Sequence, residues 1–343
     1  MMSVDAQGVN DLLAQWAERP RLGATQMIAK YGQPQEATSY RMVWHNPGPF
    51  KRISVMNIET PHDFPLPHVD YMEHTITYNV PQDKVADLIA FDGSSTINRT
   101  AGELSARCDL EGHNVLTLNL DHDIVTGKTT VEGARKAFGE MVDQDIKGKH
   151  PAYVEALQFT PDQASRAEFP DSPVIPGSPQ RAAVARESDG KGDSEVLATV
   201  IAIDLNQVLA ASQAQTKKIG QPVKEFAKML HKVHGAHMVE TMQLGQRIGV
   251  TPIITSSVEK LQRDGAGALS LLVPLDGDAF AGAYIDAMVR GHENVLTIID
   301  KELTKNASIA DVQQHLEAMR DHVAQHLEKA KALQGSMQLN RAR

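Results

Sequence analysis

Seven of the chain's fourteen histidines lie in its last third: His231, His234, His237, His292, His315, His322 and His326. Imidazole is the commonest transition-metal ligand and the side chain that titrates nearest neutrality, so such a group points to metal binding or proton transfer. His322 and His326 are spaced i, i+4, and His234 and His237 i, i+3, so each pair shares one face of a helix. Glu240 follows His237 by about one helical turn. Neutral imidazoles with one or two carboxylates favour Zn, Cu, Ni or Fe over Mg or Ca. The expected ligands are His234, His292, His322 and His326, and the expected cofactor is a transition metal ion. His231 and His315 are expected on helix surfaces. No Glu-x-x-His pair occurs in this region, so a ferritin-type di-iron centre lacks its ligands.

Four helices must bring these rings to one level. From Glu195 onward the apolar periodicity is helical throughout. Helix one is expected over 196–218, helix two from Pro222 to Gly249, helix three over 278–303, and helix four from a cap at Ser308 to about residue 334. Helix two carries Val223, Phe226, Leu230, Val233, His237 and Leu244 on one seam, and helix four carries Ile309, Val312, Leu316, Met319, Val323, His326, Ala330 and Leu333. Residues 250–277 form a connection long enough to run the length of a bundle, with a short capped helix at Ser256-Ser257-Val258-Glu259. If it crosses over, helices two and three are parallel. His234 and His292 then both sit about 20 Å from the same end, at 1.5 Å per residue. On helix four that level falls near His322, with His326 one turn beyond; on helix one it falls near Asp204 and Gln207. The expected second half is an all-α ferritin-like four-helix bundle.

Residues 197–336 resemble a widespread bacterial family of ferritin-like four-helix domains with no assigned function, whose members are described as outer-membrane or exported proteins. The resemblance rests on Val223-Lys224-Glu225-Phe226-Ala227-Lys228-Met229, His234, Gly249-Val250-Thr251-Pro252, Ala283-Tyr284-Ile285-Asp286-Ala287-Met288-Val289 with His292, and His326-Leu327-Glu328-Lys329-Ala330-Lys331-Ala332-Leu333. It implies that the family's recurrent histidines fall on His234, His292 and His326. The family usually has Asp before the first two; here Val233 and Gly291 stand there, and a frequent Glu of helix one is Gln207. Residues 15–159 resemble an uncharacterised bacterial module. This likeness rests on Trp44-His45-Asn46-Pro47-Gly48-Pro49-Phe50-Lys51-Arg52, Phe91-Asp92-Gly93-Ser94 and Arg99-Thr100-Ala101-Gly102-Glu103-Leu104-Ser105-Ala106-Arg107-Cys108-Asp109.

The first half mixes strands and helices without βαβ alternation, which predicts an α+β domain over 1–159. Helices are expected over 8–31, 82–90 and 129–148, the last opened by Thr129-Thr130-Val131-Glu132 as a capping box. Strands are expected over 40–44, 52–58, 74–78 and 115–120. Residues 160–195, rich in Pro and Gly, read as a linker, leaving 196–336 for the bundle.

Several residues of the first half could carry chemistry. Asp121-His122-Asp123 would follow the 115–120 strand directly and could serve as acid and base near Cys108. Local capping and packing explain the trio more simply. His62, His68 and His74 recur at six-residue spacing through a Pro-rich stretch, which matches no metal motif and reads as a structural loop. Gly127-Lys128-Thr129 lacks the first glycine of a phosphate loop, because His122 occupies its place. Cys108 is flanked by Arg107 and Asp109, with His113 within reach, but a lone cysteine is usually inert packing.

A net charge of −9 and a pI of about 5.9 argue against a nucleic-acid partner. One cysteine excludes an internal disulfide and a Cys-rich zinc module. The start, Met1-Met2-Ser3-Val4-Asp5, shows no secretory signal. The most apolar stretch noted, 269–275, is far too short to span a bilayer. The expectation is a soluble two-domain protein, cytoplasmic by its start and periplasmic by its resemblance, compatible with a homo-oligomer and with no small-molecule ligand specified. Three roles stay open: a metal-binding, stress-related bundle protein; an enzyme working around Asp121, His122 and Cys108; or a purely structural protein.

Overall fold

The computed structural model describes residues 6–162, 171–181 and 192–341. The chain divides into two compact units, residues 1–172 and 173–343. Much of the expected linker, 163–170 and 182–191, lies outside the described residues, as does the start through residue 5.

The first unit opens with helices α1 (Ala6–Leu13) and α2 (Glu18–Tyr31) and then builds an antiparallel sheet. Its strands are β1 (Glu36–Ala37), β2 (Arg41–His45), β3 (Arg52–His62), β4 (His68–Thr77), β5 (Thr96–Asn98) and β6 (Glu103–Cys108). Their spatial order is β1-β2-β3-β4-β6-β5. Helix α3 (Val85–Phe91) lies in the connection from β4 to β5. Helices α4 (Glu111–Val125), α5 (Val131–Ile146) and α6 (Ala152–Glu155) follow the sheet. Thr130 caps α5 by accepting a hydrogen bond from the Gly133 backbone N–H, close to the expected capping box. The core brings together Trp44, Ile53, Met72 and Ile76 of the sheet with Leu116, Leu118 and Phe138 of the helices.

One element differs in kind from the sequence expectation. Residues 115–120, whose leucines suggested a strand, are the middle of α4. Every side chain from Asn114 to Asp121 is buried there. A helix enclosed on all sides has no polar stripe, so its periodicity cannot be told from that of a strand over so short a run.

Hairpin geometry also replaces the expected loop around His62 and His68. These residues end β3 and begin β4, and they are direct cross-strand partners.

The second unit is helical apart from a two-residue parallel pair, β7 (Gln180–Arg181) with β8 (Ile253–Ile254). Its helices are α7 (Asp193–Gln215), α8 (Gln221–Ile248), α9 (Ser256–Leu272), α10 (Gly277–Ile298), α11 (Thr304–Asn306) and α12 (Ala310–Arg341). A π-helical turn at Ile299–Leu303 joins α10 to α11. Helix α9 fills the long connection and is capped by Thr255 rather than by Ser256. Ser308 does not cap α12 with its own oxygen: the Asp193 carboxylate accepts from the backbone N–H groups of Ser308 and Ile309 and from the Ser308 hydroxyl. Part of the expected linker belongs to this unit, since Gly177, at φ +75°, packs against the Met242 carbonyl of α8.

Among the described helices, α7 alone is long and apolar enough to cross a membrane by length and composition. Residues 196–198 and 200–204 are all buried, which takes in every face of the helix. Its apolarity therefore suits a central helix, packed mainly on α8 and α9. Helices α10 and α12 pack closely together, and α12 also meets α8.

Candidate metal centre

Four helices converge on a buried polar cluster in an otherwise apolar interior. Asp204 comes from α7, His234 and His237 from α8, His292 from α10 and His326 from α12, and all five are buried. Each faces inward because it occupies an apolar-stripe position: Val323 and Ala330 flank His326 on the buried side of α12, and Met288 and Val295 flank His292 on α10. Gly291, next to His292, faces Gln207 of α7; a Cβ there would make an ordinary contact with the Gln207 amide nitrogen at 3.8 Å.

Asp204 is fully buried, and its two carboxylate oxygens are each 2.8 Å from the Nδ1 of a different imidazole, one on His234 and the other on His237. A carboxylate only accepts, so both Nδ1 atoms carry the proton and donate it. On the neutral rings, the Nε2 atoms are then left with free lone pairs. His292 Nδ1 likewise donates to the Met288 carbonyl at 2.7 Å. Among the described residues, the Nε2 atoms of His234, His237 and His292 and Nδ1 of His326 are buried without a hydrogen-bond partner. A buried polar atom left unpaired costs about 1–3 kcal/mol, so this concentration of them needs a reason.

His234, His292 and His326 each offer a ring nitrogen, and the three nitrogens lie within 4.8 Å of one another. The ring centroids are 5.1 to 6.0 Å apart. Burial, with the neighbouring His234 adding to it and the Met288 carbonyl opposing, pushes His292 down to about 4. Burial and the charges of His234 and His292 push His326 down to about 3. Both rings are neutral at physiological pH, the form in which imidazole binds a metal. His237 goes the other way: burial opposes its protonation most strongly, but the Asp204 hydrogen bond together with the charges of Asp204 and Glu240 raises the pKa.

Of the four expected ligands, the structure brings His234, His292 and His326 together. His322 is exposed on α12, one turn away from the inward face. The level reckoned along helix four fell near His322, and the structure buries His326, one turn beyond it, instead. Asp204 lies at the level reckoned on helix one. The expectation that His315 sits on the surface does not hold. It is half-buried, stacks on His237 with centroids 4.5 Å apart, and its Nε2 is 2.8 Å from the Thr241 hydroxyl. His231 is half-buried and bonded to Gln215.

Residues 178–333 match a domain of unknown function, DUF4142. The DUF4142 region contains Asp204, His234, His237, His292 and His326, the whole cluster. No curated protein and no solved structure matches the chain.

Outside the DUF4142 region, the structure separates the residues proposed for an enzymatic cleft. Asp121 sits fully buried within α4, where Ser95 donates to one of its oxygens. Burial and the nearby Asp92 raise its pKa well above the usual carboxylate value. His122 points to the Tyr78 hydroxyl at 2.9 Å and stacks on Phe159. Neither is among the polar partners of Cys108, which are His68, Asp109 and His113. His74 parts from His62 and His68: its Nδ1 accepts from the Asn114 amide at 3.0 Å and its Nε2 lies 3.5 Å from Glu111. The alternation of β4, with His68 and Asp70 two residues apart, was the available signal that those two share a face.

Proposed function

We propose that α7, α8, α10 and α12 form a ferritin-like four-helix bundle and that it binds a transition metal ion through His234, His292 and His326. The observation that carries this reading is the convergence of buried ring nitrogens that have no hydrogen-bond partner, with the opposite nitrogen tied down on two of the three rings. On His234 that tie is the Asp204 carboxylate, the arrangement that orients metal-binding histidines and raises their basicity. On His292 it is the Met288 carbonyl. Neutral nitrogen donors without a carboxylate in the inner set suit Zn, Cu, Ni or Fe. An ion held this way supplies Lewis acidity or redox capacity, with a coordination position left for a fourth group. The protein's part is to keep three imidazoles aimed and dry.

His237 and His315 extend the cluster on the far side of Asp204. His237 holds the second oxygen of that carboxylate and His315 stacks on His237, so the pair supports the ligands rather than joining them.

The test is metal analysis of tag-free protein, purified from medium supplied in turn with Zn, Cu, Ni or Fe. The expected result is a stoichiometric ion that disappears in the His234→Ala, His292→Ala double variant. A milder His326→Gln variant, checked for native helicity by circular dichroism, should show the same loss. Metal content unchanged in both would leave these rings as structural histidines.

A further inference from the structure

We propose a second metal site, in the first unit, in which His68 Nε2, Cys108 Sγ and the Asp109 carboxylate hold a borderline-soft divalent cation such as Zn²⁺, with His113 Nδ1 as the fourth donor. It rests on different residues from the DUF4142 cluster and stands or falls separately.

The sheet builds the site. His62 and His68 are cross-strand partners, and Cys108 is paired with Met72. Because alternate residues of a strand share a face, His62, His68, Asp70 and Cys108 all project from one side of the sheet. Helix α4 begins two residues after β6 ends and packs back against β6 and β4, which carries His113 over the same spot. Three rigid elements thus converge, and a preorganised site loses little entropy on binding an ion.

The spacings fit a tetrahedral ion. Ligand bonds of about 2.0–2.3 Å place donors about 3.3–3.6 Å apart around Zn²⁺. Cys108 Sγ lies 3.3 Å from His68 Nε2, 3.4 Å from an Asp109 oxygen and 3.7 Å from His113 Nδ1. His113 Nδ1 is 3.9 Å from the same Asp109 oxygen. The donor atoms of His68, Cys108 and Asp109 fall within 4.8 Å of one another. His68 presents the right nitrogen: its Nδ1 is 2.9 Å from the Leu66 carbonyl, which can only accept, so Nε2 is the atom that binds an ion once its own proton has left.

A separate observation concerns the neighbouring Asp70. Asp70 is 6% exposed, and its Oδ1, 3.2 Å from His68 Nε2, has no hydrogen-bond partner among the described residues. Its Oδ2 faces His62 Nδ1 at 3.3 Å, an atom that is itself unsatisfied. The buried Asp70 carboxylate thus stands between two imidazoles, and the one it shares with the proposed site is His68. On binding, a divalent cation takes the place of the His68 Nε2 proton and the Cys108 thiol proton, both of which pass to solvent. Thiolate and imidazole donors select Zn²⁺ or a similar ion over Mg²⁺ and Ca²⁺. Asp109 is partly exposed and marks the route by which an ion enters.

The chain has one cysteine, so a sulfur-specific signal reports this site alone. The experiment titrates the full chain with Co²⁺, after chelator treatment and under reducing conditions. It follows the thiolate-to-cobalt charge-transfer absorption and the intensity of the d–d bands. The expected result is a charge-transfer band saturating at one cobalt per thiol, abolished in Cys108→Ser and retained in the His234→Ala, His292→Ala double variant. His68→Ala and the more exposed Asp109→Asn should each weaken cobalt affinity by at least about tenfold. Zn²⁺ should slow alkylation of Cys108 about tenfold or more in the parent chain and have little effect in Asp109→Asn. Absence of the band, unchanged affinity in both ligand variants, or alkylation indifferent to Zn²⁺ would overturn the proposal, leaving Cys108 and His68 as a plain thiol–imidazole contact.

Discussion

The Asp204 carboxylate accepts the Nδ1 proton of His234 at 2.8 Å, and this bond across α7 and α8 decides which face of the imidazole meets the cluster. With Nδ1 committed, the lone pair sits on Nε2, pointing at His292 and His326. The same carboxylate takes His237 through its other oxygen, so one fully buried acid sets the tautomer of two rings.

Asp204→Asn retains the size of this group but replaces one acceptor oxygen with a donor. One of the two Nδ1–H groups loses its acceptor. Metal affinity at the His234, His292 and His326 cluster should fall about 10- to 100-fold, measured by competition with a chromophoric chelator. An affinity equal to that of the parent chain would show that Asp204 does not orient the ligand.

Asp121 predicts a pH dependence in the first unit. Its folded pKa is raised by burial and by Asp92, so the folded state keeps its proton at pH values where the unfolded carboxyl has lost it. Stability contributed by this group is therefore fully present below the ordinary carboxylate pKa and is lost as pH rises toward the raised value. Asp121→Asn removes the titration. The variant should unfold at higher urea than the parent near pH 7, and the difference should vanish near pH 3. Parallel urea titrations of the two proteins at both pH values check this.

Gly177 ties the segment before α7 to the helical unit. Its φ of +75° disfavours any L side chain, and a Cβ would approach the Met242 carbonyl oxygen to 2.5 Å. Gly177→Ala should cost about 1–3 kcal/mol in that unit, read from denaturant unfolding. A neutral result would mean that residues near 177 do not pack on α8 in solution.

Asn119 holds the end of the first unit. Its amide donates to the carbonyls of Tyr153 and Ala156, and its oxygen accepts from the Gln158 N–H. Asn119→Ala strands the Tyr153 carbonyl and the Gln158 N–H, while the Ala156 carbonyl keeps the Gln158 side-chain amide, and it should destabilise the unit by about 2–4 kcal/mol. Hydrogen exchange should rise first at Gln158, whose amide loses its acceptor.

Helix periodicity carried the second unit well. The inward positions Val312, Leu316, Met319, Val323, His326 and Ala330 are all buried in α12, because a helix with one wet face keeps a visible stripe. It failed for α4, where burial on every side erased the stripe, and that failure displaced Asp121 and His122 from a supposed strand end into a helix. Pairing within the hairpin was equally hidden. His62 and His68 are six residues apart, and only strand register makes them partners.

The residues alone determined that this chain has a helical second half with imidazoles spaced along its faces, since helix rise and turn are local properties of the backbone. They could not choose between His322 and His326, nor join Asp204 to His234 or Cys108 to His68. Those choices depend on how helices rotate against one another and how strands align, which is settled by packing between segments far apart in the chain.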